Sequence, residues 1–195
     1  MRFHFAFLLA LLGVTTSAQD TYFTRTAHVH LKTSNRLMDV EADNYQVFAQ
    51  LNINTGEIAF TALIKSFEFQ LGAANRIIDS KALNVSQHPK AKFEGKIANL
   101  SQIDLKKPGN YRAKVEGTLY VWDEKRNTAA DALITVKPDG SVYARSNFIM
   151  IIEEKNVDKV NKLMREKLPA ILSIDTESLG ISRNIYVDLD MVLKP

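Results

Sequence analysis

With 195 residues, 46% of them hydrophobic, the chain is long enough to bury one ordinary core. Its charged residues, 24% of the total with a formal net charge of +3, are interspersed, which excludes the clustered basic face of a nucleic-acid binder. It has no cysteine, which excludes disulfides, a thiolate nucleophile and a lipid-attachment cysteine.

The first residues stand apart from the rest. Arg2 supplies a positive start, Phe3 to Val14 is apolar apart from His4, and Thr16-Ser17-Ala18 offers small residues for cleavage before Gln19. The apolar run is too short to span a bilayer. The pattern predicts a cleaved secretory signal over residues 1–18, a mature domain over 19–195, and a periplasmic or secreted location with no lipid anchor. Loss of Arg2 takes the formal charge from +3 to +2. An exported domain without disulfides must be held by burial and sheet hydrogen bonds alone.

From Thr26 the residues alternate, with Ala27, Val29 and Leu31 on one face and His28, His30 and Lys32 on the other, as in a half-buried strand. Asp39 to Asn52 repeats the pattern through Val47, Ala49 and Leu51, with Ile53 following. Asn54-Thr55-Gly56 is turn chemistry, since Asn and Gly tolerate positive φ. Glu57 to Gln70 then reads as one long strand, with Ile58, Phe60, Ala62 and Ile64 on one face and Ala59, Leu63, Phe67 and Phe69 on the other.

The stretch from Ala74 to Gly95 changes character. Ala73-Ala74 and Ile77-Ile78 have helical spacing, Ser80 to Asn84 extends or repeats the turn, and Pro89 forces His88 into an extended exit. Alternation resumes at Phe93, Gly95 and Ile97. After the turn Lys107-Pro108-Gly109-Asn110, the set Tyr111, Ala113, Val115, Gly117, Leu119 and Val121 faces one way. The small residues Ala113 and Gly117 leave room for a ligand or for neighbouring large side chains. Ala132 to Val136, the turn Pro138-Asp139-Gly140 and Ser141 to Ile152 form a hairpin, with Phe148, Met150 and Ile152 on one face and Ile149 and Ile151 opposite.

Asn156 to Leu172 is an amphipathic helix, with Val157, Val160, Met164, Leu168 and Ile171 on its apolar side and an end or kink near Pro169. Ile185, Val187, Leu189 and Met191 alternate in a closing strand. About eight strands with short turns predict an all-β fold with minor α, an antiparallel barrel or sandwich in one domain.

Sites for chemistry are scarce. His28 and His30 share a strand face, but a closed zinc site takes about four ligands and only His88 and scattered carboxylates are at hand, so they read as exposed histidines. Asp188 and Asp190 also share a face and read as solvated rather than as an acid–base pair. No phosphate loop or nucleophile elbow is present. These residues predict no catalytic residue, no metal and no cofactor. The helix carrying Lys155, Lys159, Lys162, Arg165 and Lys167 is either a barrel cap with a solvated outer face, the reading preferred, or a peripheral membrane contact over Asn156–Leu172.

Taken together, the residues resemble the YceI-like family of exported, lipocalin-like barrels over about 23–193. Four pieces in the right order carry the resemblance. Ser80-Lys81-Ala82-Leu83-Asn84-Val85 precedes His88-Pro89-Lys90-Ala91-Lys92-Phe93. Around these stand Asn54-Thr55-Gly56-Glu57-Ile58-Ala59-Phe60, Ile64-Lys65-Ser66-Phe67, and Tyr111 through Val115-Glu116-Gly117-Thr118-Leu119. The chain departs from the family where Val121-Trp122-Asp123-Glu124-Lys125 replaces a His-Gly-type turn, and in a longer basic helix between Ile152 and Ile181.

The resemblance implies a single antiparallel barrel of about eight strands with a short capping helix and one C-terminal amphipathic helix before the last strand. It implies a lumen for a long-chain apolar ligand, polyisoprenoid or fatty-acyl. The lining residues would be Phe60, Ile64, Phe67, Phe93, Tyr111, Val115, Leu119, Phe148 and Met150, which without the resemblance read as ordinary core. Ten buried methylenes would contribute about 8 kcal/mol gross. The expected function is a non-catalytic carrier. The alternative is an exported interaction or assembly module with a filled barrel, and the oligomeric state is open.

Overall fold

The computed structural model describes residues 20–34, 39–70, 72–78, 83, 85–167 and 180–195. The expected signal over 1–18, most of Ser80–Asn84, and Leu168–Leu172 with Pro169 lie outside the described residues.

Period-two alternation is written into almost every strand. The elements are β1 (Thr21–Ser34), β2 (Asp39–Asn52), β3 (Glu57–Leu63), β4 (Glu68–Phe69), α1 (Gly72–Ile78), β5 (Lys90–Ile97), β6 (Gly109–Val121), β7 (Glu124–Val136), β8 (Val142–Ile151), α2 (Glu154–Lys167) and β9 (Asn184–Leu193). Eight strands pair antiparallel in the order β1-β9-β8-β7-β6-β5-β3-β2, and β1 pairs back onto β2, so the sheet closes into a barrel. β4, two residues long, adds to the end of β2 through Ala42 and Phe69. The β2–β3 hairpin turns on Gly56 at φ 71°, with the Asn52 side-chain oxygen accepting from the Asn54 and Thr55 amides.

Closure requires the ladder to bend. Between β1 and β2 the register shifts twice, around Thr24–Ala27 and around Ala27–Val29, as at β-bulges. The second shift turns Asn44 inward, where it is 1% exposed. Its side chain satisfies the kink by donating to the Leu63 carbonyl at 3.2 Å and accepting the Gln46 amide at 2.8 Å.

One expected strand is broken. The run expected over Glu57–Gln70 ends at Leu63, and Ile64–Ser66 forms a 3-10 turn before β4. The cause lies in the neighbour: β3 pairs with β5 down to Leu63 and Lys90, and next along that strand stands Pro89, which has no N–H to donate. Another expected element is longer than its pattern. β7 runs from Glu124, not Ala132, because its inward positions Thr128 and Ala130 are too small or polar to show an apolar alternation.

The interior has two apolar clusters. One fills one end of the barrel with Ala27, Leu51, Ile97, Ile103, Ala113, Ile134, Val142 and Leu193 among others. The second gathers Val40, Ile64, Ile77, Leu83, Val85, Val160, Leu163 and Met164 beneath α1 and α2 at the other end. The apolar side of α2 is therefore spent on the barrel: Val157, Val160, Leu163 and Met164 are all buried. That is the cap arrangement.

Glu124 fixes the start of α2. Side-chain exposure is only 4%, and its carboxylate accepts from Arg126 Nε at 2.9 Å, from Asn156 Nδ2 at 2.5 Å and from the Glu153 amide at 3.2 Å. A carboxylate at a helix N-terminus is also favoured by the helix dipole. This explains why the helix begins at Glu154 rather than Asn156.

A pair of glycines sets how closely β5 and β6 approach. Gly95 and Gly117 are register partners, and the Phe93 ring lies over both. A Cβ on Gly117 would overlap the Glu94 carbonyl oxygen and sit 2.6 Å from Gly95 Cα and 2.7 Å from Phe93 Cζ. The room at Gly117 is thus taken by a neighbouring aromatic side chain.

Two outcomes follow. Gly117→Ala forces backbone apart and should destabilise the fold by about 1–3 kcal/mol or more, read as a lower urea midpoint. Glu124→Ala removes charge-assisted hydrogen bonds and should cost about 1.5–3 kcal/mol; faster amide exchange in α2 than in β6 would locate the loss at the cap.

Candidate functional site

The strands carry their inward residues to a common space between the filled end and the helical cap. That space is a cavity of ≈ 260 Å³ with an almost wholly carbon wall. Phe60 of β3 and Phe93 of β5 are register partners with ring centroids 5.8 Å apart and tilted by 40°, an edge-biased aromatic contact. Leu119 of β6 pairs with Phe93 on its other side. Ile64 and Phe67 enter from the turn that breaks the long strand, Val115 from β6, and Phe148 and Met150 from β8.

Eight of the nine residues expected at a lumen wall therefore meet at one cavity. Tyr111 does not. It lies at the filled end, packed against the Ile134 and Ala113 cluster, and its hydroxyl donates to the Lys107 carbonyl at 3.0 Å. Its face along β6 is the inward one, but three residues of strand lie between it and Val115, and the filled end occupies that distance.

Other wall residues went unassigned in the sequence. Val29 and Leu31 of β1, Ala130 and Ala132 of β7, and Ile185 and Val187 of β9 complete the circle. Ile77 of α1 and Val160 and Met164 of α2 close the top. Alternation in β1 and β9 carried a usable signal for their members. The alanines of β7 carried none, although small inward residues are what leave the space open.

Trp122 is the least expected wall residue. It and Asp123 form the two-residue link between β6 and β7, since Val121 pairs with Glu124. Such a link needs positive φ at its first residue, usually supplied by glycine. Here Trp122 supplies it, at φ 54°, an unfavoured conformation for a bulky side chain. Its buried indole N–H has no hydrogen-bond partner among the described residues, and a buried donor left so costs roughly 1–3 kcal/mol. The two features coincide at one residue, on the wall of the cavity.

Outside the barrel, His28 and His30 are half-buried rather than exposed. His28 Nε2 and His30 Nδ1 lie 2.7 Å and 3.0 Å from the same Asp43 oxygen, and Tyr45 stacks flat on His28 with centroids 4.3 Å apart. Burial opposes ionisation of Asp43, but the two imidazole contacts outweigh it and hold its carboxyl below the usual range. Asp190 pairs with Arg145 at 2.5 Å, and Asp188 is exposed. Among the described residues, no group of three or more His, Cys, Asp or Glu side chains is placed to hold a metal ion. No helix among them is long and apolar enough to cross a membrane.

No model of a protein family and no curated protein matches the sequence. Solved structures do match. A polyisoprenoid-binding domain from Saccharophagus degradans, implicated in plant cell wall breakdown, aligns with a TM-score of 0.68 at 11% identity, covering 90% of this chain and 98% of its own. Burkholderia cenocepacia BcnA aligns with a TM-score of 0.61 at 13% identity, covering 87% and 96%. The Campylobacter jejuni YceI protein aligns with a TM-score of 0.50 at 15% identity, covering 84% and 85%. At such identities the likeness is one of fold. The chain has the fold of the YceI-like barrels.

Proposed function

We propose that this protein is a non-catalytic carrier that holds one long-chain apolar amphiphile, a polyisoprenoid or a fatty-acyl compound, inside its barrel. The observation that carries the reading is the carbon-walled cavity itself. Left dry, ≈ 260 Å³ of void would forgo on the order of 6 kcal/mol of packing. That is comparable to the whole stability of an ordinary domain, about 5–15 kcal/mol. A chain without disulfides has little to spare for an empty interior. Cavities of about 300 Å³ and upward are typical of small-molecule sites, so this one is near the lower bound and suits a slender chain.

Likeness in fold to the YceI-like barrels fits the same reading. The Saccharophagus degradans domain that shares the fold is named for polyisoprenoid binding. Export completes the proposal: cleavage after Ala18 would release residues 19–195 as one barrel domain into the periplasm or the medium. Phe60, Ile64, Phe67, Phe93, Val115, Leu119, Phe148 and Met150 are the proposed contacts with the ligand chain. Any contact with a membrane surface would use the basic last turn of α2, Arg165 and Lys167, since the apolar side of that helix is covered.

Native mass spectrometry of the purified protein, followed by solvent extraction, is the direct test. A co-purifying lipid is expected; protein that is empty and takes up neither a prenyl nor an acyl chain would sink the proposal in favour of a filled interaction module. Ala130→Phe projects a ring into the cavity from a position that is alanine now. It should cut lipid uptake at least about tenfold while leaving the melting temperature unchanged or raised, because it fills void rather than displacing wall.

A further inference from the structure

A second, smaller pocket of ≈ 100 Å³ adjoins the first, lined by Leu83, His88, Trp122, Asp123, Asn156 and Lys159. Its wall is mostly polar, in contrast to the carbon wall of the cavity, and Trp122 belongs to both. Three elements meet there: the β6–β7 link, the turn and bend that lead into β5, and the first turns of α2.

Some polar groups here are already partnered and others are not, and Lys155 is shared between Asp123 and Glu153, the latter at 3.1 Å. Asp123 lies 3.3 Å from Lys155, and hydrogen bonding from that lysine holds its carboxyl below the usual range. Asn156 is engaged by Glu124, which is itself paired with Arg126. Lys159 and His88 make no hydrogen bond or ion pair to any described residue. The spare groups are therefore one cation, one imidazole and the indole N–H of Trp122, which no described residue partners. All three can donate to oxygen, and Lys159 favours a negative one.

We propose that this pocket is the headgroup subsite of the cavity ligand, and that it takes a compact oxyanion, a carboxylate or a phosphate monoester, on Lys159 and His88. The chain then passes Trp122 into the carbon-walled cavity. The inference rests on the carrier reading and adds the polarity and orientation of the cargo. The pocket volume of ≈ 100 Å³ fits one such head.

The protein has one tryptophan, so its emission reports directly on the junction. Mature protein, delipidated, is titrated with palmitate, hexadecyl phosphate and hexadecanol. The two anions should bind about tenfold tighter than the alcohol, as expected for one charge-assisted contact, and the tighter of the two identifies the head. Lys159→Gln should bring both anions to the affinity of the alcohol and leave the alcohol unchanged. His88→Ala should act in the same direction. Lys162→Gln, one turn from the pocket-side Lys159 on the solvated side of α2, should change nothing. Equal affinity of alcohol and anions, or equal losses in the Lys159 and Lys162 variants, would overturn the headgroup site and leave the carrier standing. Failure of all three ligands to bind would overturn both.

Discussion

The structure depends on β1 pairing on both of its edges. Its residues from His28 to Lys32 pair with Asp190 to Tyr186 of β9, and almost its whole length pairs with β2. Without that second edge the sheet would be an open, twisted ribbon with two unsatisfied borders, prone to pair with other chains. Closure satisfies the backbone without cysteine or metal. It also creates an inside, because a ring of eight strands is just wide enough for its inward side chains to fill or leave empty. The bulges around Ala27 and the inward turn of Asn44 are the local cost of that bend.

Whether the ring is filled is decided layer by layer by side-chain size. At one end the inward positions are large and meet: Leu51, Ile97, Ile134 and Leu193 pack with Ala27 and Ala113 between them. In the middle, β7 contributes Thr128, Ala130 and Ala132, and the wall stands back. At the far end the strands stop contributing and α1 and α2 lay isoleucine, leucine, valine and methionine across the opening. The cavity is thus defined by small residues on one strand and by helices held in place from the adjacent link through Glu124.

Much of this was legible in the sequence, for a physical reason. Alternation is imposed by burial of one strand face, so β1, β2, β6, β8 and β9 show it plainly, and eight of nine expected wall residues reach the cavity. The failures are equally physical. Tyr111 obeys the alternation of β6, but alternation fixes the face of a residue and not its depth along the barrel. Glu57–Gln70 looks continuous because its own residues favour a strand; its end is dictated by Pro89, a neighbour twenty-six residues beyond Leu63 and invisible to local periodicity. β7 is hidden by the alanines that make it useful. His28 and His30 looked solvated because their partner, Asp43, comes from the next strand.

Trp122 is where local preference and global structure disagree most. A two-residue link calls for glycine, and the strands on either side would accept one. The chain places its one tryptophan there, with a left-handed backbone and an N–H that no described residue partners. Natural sequences tolerate such conflicts where something other than folding selects the residue. The ring forms part of the wall of both a carbon-walled space and a polar one. A shared wall of this kind lets a single molecule satisfy two opposed surroundings at once: the chain gains by leaving water, and the head keeps its hydrogen bonds. An amphiphile is the class of ligand for which both conditions hold.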